Sequence, residues 1–404
     1  MRKLEIADYE PASDIGHMRF YPKGDLIKDL LSDWAYYIAV ERLGALKIET
    51  PILYRWSEPD IREQGESFHE RHYVIKSNNT EFVLRFAGDF GLFRMMKTAT
   101  ITYKQLPVRI YEYSPSYRRE RSGELVGLKR LRSFTMPDIH SFCKDIEDAM
   151  NEYENLFRHY TELANGIGIE YAVAFRVVDD FYYENKKWFV KLLKIVNKPA
   201  LIEVLSGMKH YWLVKHEYQG IDSVGGNCQL CTVQLDISDG KRYGLNYINK
   251  DGEKSPMVIV HSSVGSIERW MYILLEDALK KEKPSFPLWI SPIQARIIPV
   301  SQEYLDYCFE IMKKMESIRV DIDDRDETLS KKIRSAEREW IPYIVVVGEK
   351  EKEGGFLSVR VRENKIVKKM NIEDLKKEIE EKVGDMPKRK LSLPERLSMR
   401  PIFV

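Results

Sequence analysis

The sequence predicts an α+β fold, an antiparallel sheet flanked by helices, followed by a smaller α/β domain. Short β-branched stretches and amphipathic helical stretches succeed one another irregularly as far as Glu282, which suits an antiparallel sheet better than a doubly wound one. Pro284, Pro287 and Pro292 then interrupt the pattern. Behind them strand and helix signals alternate regularly, as a mainly parallel sheet requires. The boundary falls near Leu288, giving domains 1–288 and 289–404, and a chain of 404 residues is too long for one ordinary core.

The elements follow in order. Leu26, Ile27, Leu30, Leu31, Trp34 and Ile38 form a helical stripe over 25–43 that stops at Gly44. Ala45 to Thr50 reads as a strand closed by Pro51. Between Glu70 and Arg85, the runs HYVIKS and EFVLRF flank Asn78 and Asn79 and read as a hairpin. Leu106 to Tyr113 and Leu128 to Phe134 read as antiparallel strands around a charged turn. Residues 145–165, with Ile146, Met150, Tyr153, Phe157 and Tyr160 at helical spacing, and residues 186–196 read as helices. Thr232 to Ile237 and Met257 to His261 read as strands, and Ile267 to Lys280 as a helix. In the second domain, strands at 295–300, 318–322 and 343–347 enclose helices at 303–315 and 328–339, a βαβαβ order.

Composition narrows the class. Hydrophobic residues make up 44% and charged residues 31%, the balance of a soluble globular chain. No run of eighteen apolar residues occurs, and the start MRKLEIADYE lacks the apolar region of a signal peptide, so no membrane role and a cytoplasmic location are expected. Four cysteines are too few for a disulfide framework, and Cys228-x-x-Cys231 is either half a zinc site or a structural pair. A net charge of +1 argues neither for nor against nucleic acid, so local clustering decides.

The densest cluster lies between Arg109 and His140, where Arg118, Arg119, Arg121, Lys129, Arg130 and Arg132 surround one turn. Guanidinium forks match phosphate oxygens bidentately, and a solvated basic hairpin is the equally simple alternative.

Resemblance separates the two. Arg118-x-Glu120, a loop, and a returning strand with Arg130 and Phe134 resemble motif 2 of the class II aminoacyl-tRNA synthetases. Gly265 to Arg269, opening a helix, resembles motif 3, and the helix from Asp25 running into a strand and Pro51 resembles motif 1. The runs YPKG (21–24), TMPDIHSFC (135–143), TVQLD (232–236) and VHSSVGSIER (260–269) resemble the threonyl-tRNA synthetases, the archaeal branch most closely, over nearly the whole chain. This implies a class II synthetase antiparallel sheet followed by an anticodon-binding domain. It also implies an ATP-dependent ligase that activates threonine and transfers it to the 3′ end of threonine tRNA, with no DNA partner.

The resemblance also assigns residues. Arg118 would grip the ATP α-phosphate and the acyl carboxylate, Glu120 the adenine amino group, and Phe134 the base. Arg130 and Gln234 fall in the same ATP site, and Arg269 would meet the γ-phosphate, with Mg2+ accompanying ATP. The family holds Zn2+ between one cysteine and two histidines; His140 and His261 match the histidines, and Asp89 in RFAGDFG takes the cysteine's place. Aspartate can ligate zinc, so Asp89 either completes an Asp-His-His site or pairs with a basic neighbour. Asp138, Gln229 and His261 would face the amino acid. Asp326, Arg334, Glu351 and Arg360 match positions that read anticodon bases, against the alternative of a solvated helix with pairs such as Glu327 to Lys331. Motif 1 implies a homodimer. The catalytic domain begins almost at Met1, so an N-terminal editing domain is expected to be absent and a separate protein to correct serine errors.

Overall fold

Eight strands build the sheet that carries the candidate chemistry: β1 (Leu46–Ile48), β2 (Val108–Tyr117), β3 (Ser133–Cys143), β4 (Tyr171–Val178), β5 (Ala200–Leu205), β6 (Trp212–Ile221), β7 (Asn227–Asp236) and β8 (Val258–Ser263). In the computed structural model, which describes residues 1–67 and 71–404, their order is β5-β4-β6-β7-β8-β3-β2-β1. All neighbours run antiparallel except the outermost pairs, β5 with β4 and β2 with β1. The α+β expectation holds.

Alternation sorts the two faces of this sheet. Val173, Phe175 and Val177 on β4, Val214, His216 and Tyr218 on β6, and Val233 and Leu235 on β7 are buried on one side. There they meet the helix Ile146–Ile167, which packs across β3, β7 and β8 and buries Ala149, Tyr153, Leu156, Phe157 and Tyr160. The Asp145 side chain accepts from the Asp148 N–H at one end of this helix, and Gly168 closes the other at φ 76°. Such a cap is worth about 1 kcal/mol. The residues between the apolar ones, polar for the most part, are left for the opposite face.

Two compact units are present: Pro11–His17 with Ala35–Ile273, which contains this sheet, and Met1–Glu10 with Met18–Trp34 and Leu274–Val404. In the second unit β9 (Ala295–Pro299), β10 (Val320–Ile322) and β11 (Tyr343–Val347) are parallel, with the helices Leu305–Lys314 and Leu329–Arg338 between them. The expected βαβαβ order is therefore present. Two further strands, β12 (Leu357–Val361) and β13 (Ile366–Met370), add antiparallel, so the sheet is mixed rather than mainly parallel.

The helices predicted at 145–165, 186–196 and 267–280 appear as Ile146–Ile167, Lys186–Val196 and Ile267–Lys280. The first helix spans Pro22–Tyr36 and continues through a π-helical turn, Tyr37–Arg42, to Gly44 at φ 67°. The hairpin pairs Val74–Ser77 with Thr80–Leu84 around Asn78, and its expected start at Glu70 lies outside the described residues. One strand was misplaced: the return arm is Ser133–Cys143, not Leu128 to Phe134. Leu128 and Leu131 are buried from within the loop, and that apolar anchoring imitated a strand. The true strand is disguised by Pro137, Asp138 and His140. Strands β4, β5 and β6 had no counterpart in the sequence reading.

Arg296 on β9 is fully buried and pairs with Asp321 at 2.8 Å and Glu339 at 2.7 Å; Lys23 reaches the same Glu339 at 2.9 Å. Burial opposes ionisation of Glu339, but Arg296 and Lys23 outweigh it and hold the carboxyl well below the usual range. Its stabilisation is therefore full above the unfolded value of about 4.3 and is lost as pH falls through the depressed folded value. Glu339→Gln leaves Arg296 short of one partner, a change that costs about 3–5 kcal/mol when a buried pair is broken. Denaturant unfolding at pH 7 should show that loss, and the gap to the wild type should narrow as pH drops below about 4.3. Equal stability at pH 7 would contradict the assignment.

Candidate functional site

Register brings the candidate residues together. Directly paired residues of neighbouring strands share a face. One cross-strand row runs Arg176 (β4), Lys215 (β6), Gln234 (β7), His261 (β8) and His140 (β3). The adjacent row, two residues along each strand, runs Ala174, Glu217, Thr232, Ser263, Asp138 and Glu112. Both rows lie on the face opposite the helix Ile146–Ile167, so six strands deliver polar side chains to one floor.

At the centre of the floor the rings of His140 and His261 stand edge to face, 4.9 Å apart. Asp89, the first residue of the helix Asp89–Thr98, places Oδ1 2.8 Å from His140 Nε2 and 3.9 Å from His261 Nδ1. One ligand atom from each of these three residues lies within 4.8 Å of the others. On its far side His261 Nε2 is 2.9 Å from Asp236 Oδ2. Burial works against a charged His261, but the Asp236 hydrogen bond and charge, with Asp89 and Asp239 behind, raise its pKa to about 9. Asp138 sits beside this cluster, and burial pushes its carboxyl up to about 6 despite His140 and Ser263. The ideal Cβ position on Gly88 lies 3.4 Å from Asp138 Oδ2, so a bare backbone borders the aspartate there.

Next to the cluster a cavity of about 390 Å³ is lined by Arg118, Glu120, Arg130, Phe134, Gln229, Gln234 and Arg269. Arg118 projects from the end of β2, its Nε donating to the Phe86 carbonyl at 2.9 Å and its guanidinium lying 5.2 Å over the Phe134 ring. Burial and the charge of Arg269 both lower its pKa. Two cations near enough to oppose each other, at the edge of one cavity, make an anion site. Glu120 accepts from Arg130 at 2.8 Å and Arg71 at 3.2 Å through the same carboxylate oxygen.

Arg269 is placed by the start of the helix Ile267–Lys280. Its Nε donates to the Lys129 carbonyl at 3.1 Å, and its backbone N–H to Ser266 Oγ at 3.2 Å. One residue earlier, Glu268 accepts from the Thr135 N–H at 2.9 Å and ties the helix to β3. Just before the helix, Gly265 has φ 96°, and a Cβ there would stand 2.8 Å from the Leu230 carbonyl.

Four residues of this floor were missed from sequence. Arg176, Tyr211 and Lys215 line the cavity, and Asp236 backs His261. The Tyr211 hydroxyl donates to Gln234 Oε1 at 2.8 Å, while Lys215 lies 2.6 Å from Glu217. The signal for Arg176 and Lys215 was alternation in β4 and β6, strands the sequence reading did not assign, whereas Tyr211 lies just before β6 and Asp236 ends β7. Cys228 and Cys231 are buried and free on β7, and no metal-sized group among the described residues includes either.

In the other unit Asp326, Arg334 and Arg360 are exposed: in the loop before the helix Leu329–Arg338, on that helix, and on β12. Arg360 is 3.8 Å from Glu337. Glu351 differs, since one oxygen accepts from the Gly348 N–H at 3.0 Å and the other from Ser358 Oγ at 2.6 Å. That carboxylate caps a helix. Glu327 and Lys331 form the helical pair considered above.

Comparison with known proteins agrees with this geometry. The family described as tRNA synthetase class II core domain (G, H, P, S and T) matches residues 72–278, and the anticodon binding domain family matches residues 294–382. The threonine–tRNA ligase of Pyrococcus furiosus is 46% identical over all of this chain and 66% of its own length. That of Methanosphaera stadtmanae is 46% identical over all of this chain and 67% of its own length. The chain thus spans about two thirds of the curated relatives it matches. Among solved structures, the RNA binding domain of a threonyl-tRNA synthetase from Cryptosporidium parvum superposes with a TM-score of 0.83 at 22% identity, covering 95% of this chain and 97% of that one. A prolyl-tRNA synthetase from the same organism gives 0.75 at 14% identity, over 95% and 73%. These likenesses speak for the fold alone, which serves more than one amino acid.

Gly265→Ala tests how the helix start sets Arg269. The added methyl must push Leu230 or tilt the helix, moving the guanidinium off the cavity. Affinity of the cavity for inorganic triphosphate should fall about tenfold, or ~1.4 kcal/mol. An unchanged affinity would show that Arg269 is positioned by something else.

Proposed function

The chain belongs to the class II tRNA synthetases, in the threonine–tRNA ligase family, and on that footing we propose that it activates threonine with ATP and passes it to the 3′ end of threonine tRNA. The convergence of Arg118 and Arg269 on one cavity, beside Asp89, His140 and His261, carries this reading. ATP with Mg2+, an amino acid and tRNA are the substrates of the class.

In the first step the threonine carboxylate attacks the ATP α-phosphorus and pyrophosphate leaves. Arg118 holds the α-phosphate and the carboxylate, Arg269 the γ-phosphate. Phe134 stacks on the adenine, and Glu120 with Arg130 frames its edge. In the second step a hydroxyl of the tRNA's terminal ribose attacks the acyl carbonyl of the threonyl-adenylate, the acyl–phosphate bond breaks and AMP leaves, with Gln234 and Gln229 at its approach. No protein nucleophile is needed, because catalysis here is positioning and charge stabilisation.

Asp89, His140 and His261 fit a zinc ion: one donor atom from each lies within 4.8 Å of the others, and oxygen and imidazole are zinc ligands. Held by these three residues, zinc would supply Lewis-acid recognition of the amino and hydroxyl groups of threonine, which an apolar pocket could not separate strongly from valine. Asp138 would accept from the substrate hydroxyl. Oxygen in place of the family's sulfur makes the donor set harder and widens the choice of metal.

We place the catalytic domain at 1–288 and the anticodon-binding domain at 289–404, with Asp326, Arg334 and Arg360 on anticodon bases. Glu351 would act there mainly by holding its loop. A homodimer through motif 1 accords with exposed Tyr36, Tyr37 and Leu46 beside the edge strand β1. No helix among the described residues is long and apolar enough to cross a membrane, and a cytoplasmic site of action suits a tRNA substrate.

Pyrophosphate exchange across a panel of amino acids tests the reading. Threonine should lead, with valine far behind, and another amino acid in first place would move the chain elsewhere in its class. Serine lacks only one methyl, worth about 1–3 kcal/mol, so excess serine should yield measurable seryl-tRNA, for a separate protein to clear. Absence of seryl-tRNA at saturating serine would contradict that prediction.

A further inference from the structure

His261 has two nitrogens and two neighbours. Nδ1 faces Asp89 at 3.9 Å on the side of His140, while Nε2 is 2.9 Å from Asp236 Oδ2. A neutral imidazole carries one proton, so the nitrogen that keeps it cannot bind an ion. What stands behind Nε2 therefore decides whether Nδ1 is a ligand.

Asp236 is fully buried. Its second oxygen, Oδ1, accepts from the backbone N–H groups of Ser238 at 2.7 Å and Asp239 at 3.0 Å, so the carboxylate cannot swing away. The turn carrying those groups is itself pinned, since a Cβ on Gly240 would stand 1.8 Å from the Met257 carbonyl oxygen. Asp239 adds a second buried carboxylate nearby; its Oδ1 has no hydrogen-bond partner and lies 3.8 Å from Arg242.

We propose that Asp236 is a positioning residue of the metal site: fixed by two backbone N–H groups, it keeps the proton of His261 on Nε2 and so presents Nδ1 to the ion held with Asp89 and His140. The inference rests on the zinc reading above and deepens it. A carboxylate behind a metal-bound histidine fixes the tautomer and raises the basicity of the ligating nitrogen, and its loss commonly weakens metal binding 10–100-fold.

Asp236→Asn separates this role from folding. The asparagine oxygen can still accept from Ser238 and Asp239, so the turn stays capped. Its amide NH2 then faces Nε2 as a donor, which moves the imidazole proton to Nδ1 and opposes ligation. Zinc affinity, measured by competition with a chromophoric chelator, should fall about 10–100-fold relative to the wild type. The absorption of the cobalt-substituted chain should change, while AMP binding and the far-ultraviolet circular dichroism of the metal-free chain stay close to wild type. Asp239→Asn removes charge without touching Nε2 and should weaken zinc less.

Wild-type chain that holds no ion at one equivalent defeats both this inference and the zinc reading. Zinc binding in the wild type that survives unchanged in Asp236→Asn defeats this inference alone. So does an equal or larger loss in Asp239→Asn, which would make bulk charge the cause, or a metal-free Asp236→Asn chain that no longer folds, which would make Asp236 a structural cap.

Discussion

Cross-strand register in one antiparallel sheet is the constraint on which the site depends. Arg176, Lys215, Gln234, His261 and His140 are far apart in sequence, yet each is the direct partner of the next. A one-residue slip of β7 would turn Val233 toward the cavity and Gln234 into the helix Ile146–Ile167. The apolar residues between the polar ones prevent it, because Val233 and Leu235 would lose their burial together. Packing on one face of the sheet thereby fixes chemistry on the other.

The floor is electrostatically divided. Asp89, Asp138, Asp236 and Asp239 gather around two imidazoles, while Arg118 and Arg269 stand at the neighbouring cavity. Each half is costly alone, as the raised Asp138 and the lowered Arg118 pKa values testify. A metal ion among the carboxylates and a triphosphate between the arginines would relieve both. Polar groups oriented before the substrate arrives need no rearrangement during reaction, which is how such a site lowers a barrier without a nucleophile.

Much of this was legible in the sequence. Arg118, Glu120, Phe134 and Arg269 stood in motifs whose spacing survives in the fold, and helices such as Ile146–Ile167 and Ile267–Lys280 declared themselves through their apolar stripes. Asp89, His140 and His261 were connected only through resemblance, since no spacing rule links residues brought together by three elements. β4 and β6 stayed hidden because their outward residues, Arg176, Lys215 and Glu217, serve the site rather than the core. Asp236 was visible within TVQLD, but its bond to His261 needed coordinates. Glu351, a position matching an anticodon reader, also caps a helix, a second role that needed coordinates to see.

On the proposed function, two arginines from distant segments grip one nucleotide beside a metal-sized cluster. A crystal structure with a non-hydrolysable threonyl-adenylate analogue, with anomalous data at the zinc edge, tests it most directly. The account predicts a single anomalous peak about 2.0–2.2 Å from an Asp89 oxygen, His140 Nε2 and His261 Nδ1, with the analogue's phosphate-mimicking group bound by Arg118. An analogue seated away from both guanidinium groups would contradict it.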